Sequence, residues 1–150
     1  MHRQTLPLGR PAASARIEGD GRNRRIRGTV RFFPFREGVL VVADIHGLPR
    51  PEGFFAFHIH AGGSCEGAGF PETGTHYNPS RAPHPDHAGD LPPLLSNRGD
   101  AFLAVYTDRF TIPEIIGRTA VIHSRPDDFT TQPAGAAGEK IACGVIRRGG

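Results

Sequence analysis

Six of the chain's eight histidines lie between positions 58 and 123, a region that also contains several aspartates. Imidazole is the commonest metal-binding side chain and suits both copper and zinc. A lone histidine is more often a core or surface residue with an ordinary hydrogen bond, but a set of this size favours metal ligands. Because the set is too large for one ion, it predicts more than one metal. Its members are His58, His60, His76, His84, His87 and His123.

The segment 54–60 positions two of these histidines. Residues two apart in a β-strand share a face, so the apolar Phe57 and Ile59 point into a core while His58 and His60 point together to the other side. Two imidazoles on a rigid strand make half of a tetragonal copper site. His123, at the end of the apolar run 120–122, and His76, in a polar loop, are expected to complete it.

The segment 84–87 predicts a second site. Pro85 and Asp86 at its centre favour a type I turn, which brings the ends of the segment within about 7 Å. His84 and His87 could then reach one ion together with Asp90. His76 would complete a closed tetrahedral zinc set of three histidines and one aspartate. That arrangement uses His76 twice, as an imidazolate that bridges two metals.

The elements that must hold these residues are short strands separated by turn residues. The expected strands are 13–18, 26–35, 39–45, 54–60, 100–107, 119–123 and 140–146, with a helical turn at 112–116. Two Gly/Pro-rich stretches, 61–96 and 124–139, remain as long loops. The pattern predicts an all-β sandwich or barrel in which two long loops carry the function.

The length, charge and apolar content of the chain indicate its domain number, its classes of partner and its location in the cell. With 150 residues the chain is expected to form a single domain, 1–150, in which 1–11 are a flexible N-terminal extension. No apolar run approaches the roughly 18 residues of a membrane span. The arginine-rich run 22–27 is expected to be a solvated hairpin tip, so neither membrane nor nucleic acid is predicted as a partner. Since the amino terminus resembles no signal peptide, a cytoplasmic location is expected, or a periplasmic or extracellular one if an upstream signal was removed.

Together these residues resemble the copper/zinc superoxide dismutases. The resemblance covers roughly residues 12–148 and keeps the family's blocks in order. The matching blocks are Phe57-His58-Ile59-His60, Gly74-Thr75-His76-Tyr77-Asn78-Pro79, His87-Ala88-Gly89-Asp90-Leu91, Ile116-Gly117-Arg118-Thr119, Val121-Ile122-His123 and Ala142-Cys143-Gly144-Val145-Ile146. The fold implied is a flattened eight-stranded Greek-key β-barrel.

The resemblance also implies a role for each site residue. His58, His60, His76 and His123 correspond to the copper ligands, and His76, His84, His87 and Asp90 correspond to the zinc ligands. Asp127 matches an aspartate that accepts hydrogen bonds from one histidine of each set. Cys65 and Cys143 match a disulfide that closes a loop of 78 positions and contributes on the order of 4 kcal/mol in the chain-entropy model.

The activity implied is disproportionation of superoxide, with one copper and one zinc per subunit. Copper would alternate between Cu(II) and Cu(I), while His76 carries a proton to the forming peroxide. Lys140 stands where the family usually has an arginine that guides the anion, and it is the only lysine in the chain. A lysine keeps the charge but loses the planar fork, so a slower enzyme is expected, with Arg125 assisting. A surface lysine beside Glu139 is the alternative.

Other functions remain open at this point. The chain could be a weak or inactive relative that acts as a copper carrier or store, although relatives of that kind usually lack a copper histidine. A plain interaction module would leave the six histidines unexplained. A homodimer is a further expectation, because apolar residues such as Phe33, Phe35 and Phe110 could belong to an interface or to the core.

Overall fold

The structure, a computed structural model, describes residues 8–150; the first seven positions of the expected N-terminal extension lie outside the described residues. It contains eight strands, one short 3₁₀ turn and one short helix. The strands are β1 Ala13–Gly19, β2 Arg27–Phe35, β3 Gly38–His46, β4 Phe54–His60, β5 Asp90–Leu95, β6 Ala101–Thr107, β7 Thr119–His123 and β8 Lys140–Arg148. The 3₁₀ turn is Pro71–Thr73, and the helix α1 is Ile112–Ile115.

The strands form one antiparallel sheet in the order β5-β4-β7-β8-β1-β2-β3-β6. Strands β5 and β6, at the two ends of this order, pack against each other, so the sheet curls into a nearly closed barrel. The connections skip strands as in a Greek key, because β3 is paired with β6 and β4 with β7. The predicted all-β barrel class is confirmed.

One strand was not expected from the residue pattern. Asp90–Leu95 forms β5 inside the stretch 61–96, where a continuous loop was predicted. Pro92 and Pro93 argue against a strand at this position, since proline cannot donate a backbone hydrogen bond to a neighbouring strand and is confined to edges and bulges. In the barrel β5 is paired only with β4, and its register shifts between Phe55 and Phe57. The strand therefore tolerates its prolines because it lies at the end of the sheet.

Alternating side chains fill the barrel. One hydrophobic cluster takes residues from all eight strands, and Phe32, Phe55, Phe57 and Phe110 are among its fully buried members. Phe33 is also buried, whereas Phe35 is exposed, so two of the three phenylalanines left open between core and interface do not lie on the free surface. Within residues 8–150, no helix reaches the length and apolar character of a membrane span.

Candidate metal centre

The first histidine set gathers at one end of β4 and β7. His58 and His60 lie on β4, His123 ends the neighbouring β7, and His76 reaches them through a backbone bridge to His60. All four side chains are buried, and their nearest ring nitrogens lie within 4.8 Å of one another. The Nε2 atoms of His60 and His123 face each other at 3.1 Å. The predicted sharing of one side of β4 by His58 and His60 is thus seen in the structure.

The second set gathers around Asp90, the first residue of β5. The Nδ1 atom of His76 lies 2.9 Å from Asp90 Oδ1, and that of His84 lies 3.0 Å from Asp90 Oδ2. His87 Nδ1 lies 3.3 Å from the same Oδ2 and 3.1 Å from His76 Nδ1. The four residues therefore converge as the sequence predicted.

His58 competes with His87 as a member of the second set. Its ring also comes within 4.8 Å of the ligand atoms of His76, His84 and Asp90, forming a tighter group that leaves His87 out. However, His58 Nε2 is hydrogen-bonded to Asp127, which leaves one ring nitrogen, Nδ1, for a single ion, and His58 is also a member of the first set. His87 has its Nδ1 directed at His76 and Asp90, so it is the better fourth member.

Asp127 links the two sets by hydrogen bonds to one histidine of each. Its Oδ2 accepts a hydrogen bond from His58 Nε2 at 2.7 Å, and its Oδ1 accepts one from His84 Nε2 at 2.7 Å. Burial opposes ionisation, but the hydrogen bonds from His58, His84 and the Phe129 N–H outweigh it and hold the pKa of Asp127 below its ordinary value. Because each ring donates from Nε2, its Nδ1 is left as a lone-pair donor for a metal.

Gly135 allows the loop 124–139 to pack closely against the hydrogen bond between Asp127 and His84. A Cβ atom at position 135 would lie 2.0 Å from Asp127 Oδ1 and 2.6 Å from His84 Nε2. The residue also has φ near +72°, which side chains rarely adopt. Only glycine allows the backbone to approach the carboxylate and imidazole at this distance.

Buried atoms without hydrogen-bond partners test whether these residues fit metal ions. Among the described residues, His58 Nδ1, His76 Nε2, His84 Nδ1 and Asp90 Oδ1 are such atoms. A fifth, His123 Nδ1, lies toward the backbone of Gly138. Each unsatisfied group costs about 1–3 kcal/mol, so their convergence in two places indicates two positions suited to binding a cation. The donor sets fit copper and zinc.

Metal-free protein is expected to lose stability as the pH falls. Burial lowers the pKa of His60 to about 2 and that of His123 to about 3. Histidine in an unfolded chain titrates near about 6.5, so between these values the unfolded state binds more protons and stability rises with pH. The urea midpoint of the metal-free protein should therefore fall steadily from about pH 7 to about pH 4. A His60→Gln/His123→Gln variant should show a flatter profile, and a constant wild-type midpoint would contradict the expectation.

The turn that carries His84 and His87 differs from the prediction. A type I turn over 84–87, with Pro85 second, was expected. Instead the closing hydrogen bond runs from the Asp86 N–H to the Pro83 carbonyl at 2.8 Å, and the His84–Pro85 peptide is cis. The turn thus spans 83–86 with proline third, as in type VI turns. The predicted turn type was wrong, although both imidazoles still reach Asp90.

Lys140 lies at the rim of the first set. A cleft of about 360 Å³ is lined by Lys140, by His60, His76 and His123, and by residues of the loop 124–139. The Lys140 Nζ donates to Thr73 Oγ1 at 2.7 Å and to the Gly74 carbonyl at 2.9 Å, which also accepts from His60 Nδ1. These contacts do not involve Glu139, contrary to the surface-lysine alternative. Arg125, expected to assist, is not among the lining residues.

The two cysteines form a disulfide that ties the loop after β4 to β8. Cys65 and Cys143 are bonded, with their Cα atoms 5.8 Å apart, and Cys143 packs with Phe70 and Val121. Phe70 in turn precedes the 3₁₀ turn that supplies Thr73 to Lys140. The disulfide thereby anchors the loop that forms one wall of the cleft.

Two polar residues near the second set had no signal in the sequence. Arg109, in the loop after β6, contacts residues 85–87, and Gln132, in the loop 124–139, contacts the backbone of His84. Neither belongs to a metal-ligand spacing or to the blocks quoted above. Their roles depend on long-range contacts that no local pattern shows.

The fold and site together define a β-barrel protein with two adjoining metal-ligand sets that share a histidine. A family model for copper/zinc superoxide dismutase matches residues 26–146. Superoxide dismutase [Cu-Zn] 2 of Aquifex aeolicus is 36% identical over 135 residues, which cover 80% of this chain and 78% of that protein. Superoxide dismutase [Cu-Zn] of Caulobacter vibrioides is 32% identical over 146 residues, covering 86% and 81%. The chain belongs to the copper/zinc superoxide dismutase family.

Solved structures with the same fold include proteins described in other terms. The clock protein EA4 aligns with a TM-score of 0.78 and 30% identity, covering 99% of each chain. A SOD-like protein from Bacillus subtilis aligns with a TM-score of 0.76 and 27% identity, covering 88% of this chain and 96% of that one. These likenesses support the barrel, while the activity of this chain must be argued from its own site.

Proposed function

We propose that this protein is a copper/zinc superoxide dismutase. The observation that carries the proposal is the position of His76 between the two sets. Its Nε2 lies in the first set without a hydrogen-bond partner, and its Nδ1 lies 2.9 Å from Asp90 in the second. One imidazole therefore offers one nitrogen to each of two ions, as the bridging role requires.

The first set would hold one copper ion through four imidazoles, those of His58, His60, His76 and His123. Bound copper supplies one-electron chemistry, by which two superoxide anions and two protons become one molecule each of oxygen and hydrogen peroxide. His76 Nε2 is the atom of this chain placed to hold the proton that peroxide formation consumes, because it faces the cleft-lining histidines. The other three histidines keep their positions through hydrogen bonds or strand pairing.

The second set would hold one zinc ion through His76, His84, His87 and Asp90. Three imidazoles and one carboxylate make a closed tetrahedral donor set without an open position for substrate. The set therefore has a structural role, which is to orient His76 from its Nδ1 side. Asp127 supports this role because it fixes the ring of His84 and that of His58 at once.

Lys140 would attract the substrate. Superoxide is an anion, and a positive charge at a cleft mouth raises its association rate. The three oxygen acceptors around Lys140 Nζ hold the ammonium beside His60 and His123 without neutralising it, since none is a carboxylate. Burial lowers the pKa of this amine.

Charge reversal at Lys140 is expected to slow catalysis. Lys140→Glu should lower the rate with superoxide by roughly 10-fold or more and reverse its salt dependence, because steering effects span about 10- to 1,000-fold. Lys140→Arg keeps the charge and should stay close to the wild-type rate or exceed it. The measurement is the second-order rate at several ionic strengths. An unchanged rate and salt slope for Lys140→Glu would show that Lys140 does not guide the anion.

The direct test of the proposed function is superoxide decay followed by pulse radiolysis. Protein reconstituted with copper and zinc should remove superoxide catalytically. His123→Ala protein, treated in the same way, is the matched control and should remain near the spontaneous rate. Wild-type decay no faster than the spontaneous reaction would refute the proposal and favour a copper carrier or store.

The number of domains is a separate proposal. We propose one domain over 1–150, supported by the hydrophobic cluster to which all eight strands contribute. The homodimer and the cellular compartment expected from the sequence remain predictions. Phe102 and Tyr106, both exposed on β6, are the residues to examine first in a search for an interface.

A further inference from the structure

The segment that carries His84 and His87 is short and irregular, although both residues are proposed ligands of one ion. Only Pro85 and Asp86 separate them, and one backbone hydrogen bond, from Asp86 to Pro83, closes the turn. The side chains must nevertheless reach the same carboxylate, at 3.0 and 3.3 Å. A short irregular segment of this kind needs support from outside to hold both imidazoles in position.

Arg109 supplies support on one side. Its Nη1 donates to the Pro85 carbonyl at 2.8 Å and approaches the His87 carbonyl at 3.4 Å, while its Nη2 lies 3.4 Å from Asp86 Oδ1. One planar guanidinium thus contacts three consecutive residues, 85–87, a geometry that a lysine could not reproduce. The contacts reach His87 through its backbone and leave its imidazole free.

Gln132 supplies support on the other side. Its Oε1 accepts from the His84 N–H at 2.8 Å, and its Nε2 donates to the His84 carbonyl at 2.8 Å. This two-point pairing holds the backbone of His84, while Asp127 holds its ring. The backbone and the ring of the same ligand are therefore secured by two residues of the loop 124–139.

We infer that Arg109 and Gln132 are positioning residues that clamp the segment 83–87 and preorganise His84 and His87 for zinc. The inference rests on the proposed zinc site and goes beyond it, because neither residue is a ligand. Without the clamp, zinc binding would have to order the turn, and that ordering would weaken the affinity. The copper set should be little affected, since Arg109 and Gln132 contact neither β4 nor β7 in the described hydrogen bonds.

The test uses Arg109→Ala, Gln132→Ala, the double variant and Arg109→Lys. Zinc affinity is measured by competition with a chelator, and Co²⁺ replaces zinc as a spectroscopic probe of the ligand geometry. Copper affinity and the thermal unfolding of the metal-free protein are measured in parallel. Arg24→Ala removes an exposed arginine at the hairpin between β1 and β2 and serves as the control for loss of charge.

Each alanine variant should bind zinc roughly 10-fold more weakly, and the double variant roughly 100-fold, as is typical when outer partners of a metal site are removed. The Co²⁺ bands should weaken or shift, and Arg109→Lys should recover part of the loss. Zinc affinities within about twofold of wild type, with an unchanged Co²⁺ spectrum, would overturn the inference. Equal losses in copper affinity and metal-free stability would also overturn it. If the wild-type protein binds neither Zn²⁺ nor Co²⁺, the proposed zinc site itself fails.

Discussion

His76→Ala is expected to remove copper and zinc binding together and to lower dismutase activity by more than about 100-fold, since changes to outer partners alone commonly cost roughly 10- to 100-fold. The reason is geometric. His76 is the residue whose two nitrogens face different sets, Nε2 toward His58, His60 and His123 and Nδ1 toward Asp90. Its loss leaves three donors in each set and breaks the connection between them. Metal content after dialysis and the rate of superoxide decay are the measurements.

Two further variants make this expectation specific. His46→Ala removes a histidine outside both sets, whose ring contacts Asp44 and Asp100 on the surface, and it should leave metal content and activity unchanged. His87→Ala should weaken zinc binding while copper is retained. Stoichiometric copper and zinc in His76→Ala protein would show that this histidine does not bridge the sites.

Loss of the disulfide is expected to destabilise the metal-free protein by about 4.5 kcal/mol, the chain-entropy value for a loop of this length. Cys65 and Cys143 are 78 positions apart, and the bond joins a loop to β8 in the barrel. A Cys65→Ala/Cys143→Ala variant should show this loss in urea unfolding at neutral pH. Bound metal would add stability by mass action and must therefore be absent.

Reduced wild-type protein is the matched comparison for that variant. Its unfolding free energy should agree with that of the double variant, because both lack the same cross-link. A loss below about 1 kcal/mol in both would mean that the cross-link contributes far less than the loop-closure model predicts. If the reduced protein and the double variant lose different amounts of stability, the difference would point to a packing defect at Val121 and Phe70.

Much of the fold could be predicted because its strands alternate clearly. β4 and β7 were predicted with the bounds that the structure shows, and the face shared by His58 and His60 followed from a period of two. β5 was missed because Pro92 and Pro93 contradict the usual strand composition, and only its place at the end of the sheet makes them tolerable. Local pattern thus missed a strand where prolines interrupt it, whereas β6, at the other end of the sheet, was predicted to within one residue.

The candidate site was predictable as a set of residue types but not as a supported structure. The ligands could be identified because histidine and aspartate are common metal-binding residues, and the structure brings all seven of them together in two sets. The turn was mispredicted because its closing hydrogen bond runs to the Pro83 carbonyl, one residue before the tetrapeptide 84–87. Arg109 and Gln132 could not be predicted as positioning residues. In a sequence, an arginine or glutamine that hydrogen-bonds to a distant backbone group looks the same as one that faces solvent.

The proposed dismutase function is tested most directly by a copper titration of the zinc-loaded protein, with bound copper and superoxide removal measured on the same samples. Activity should rise in proportion to bound copper and stop rising at one copper per chain. Protein that binds one copper per chain and removes no superoxide would contradict the proposed function.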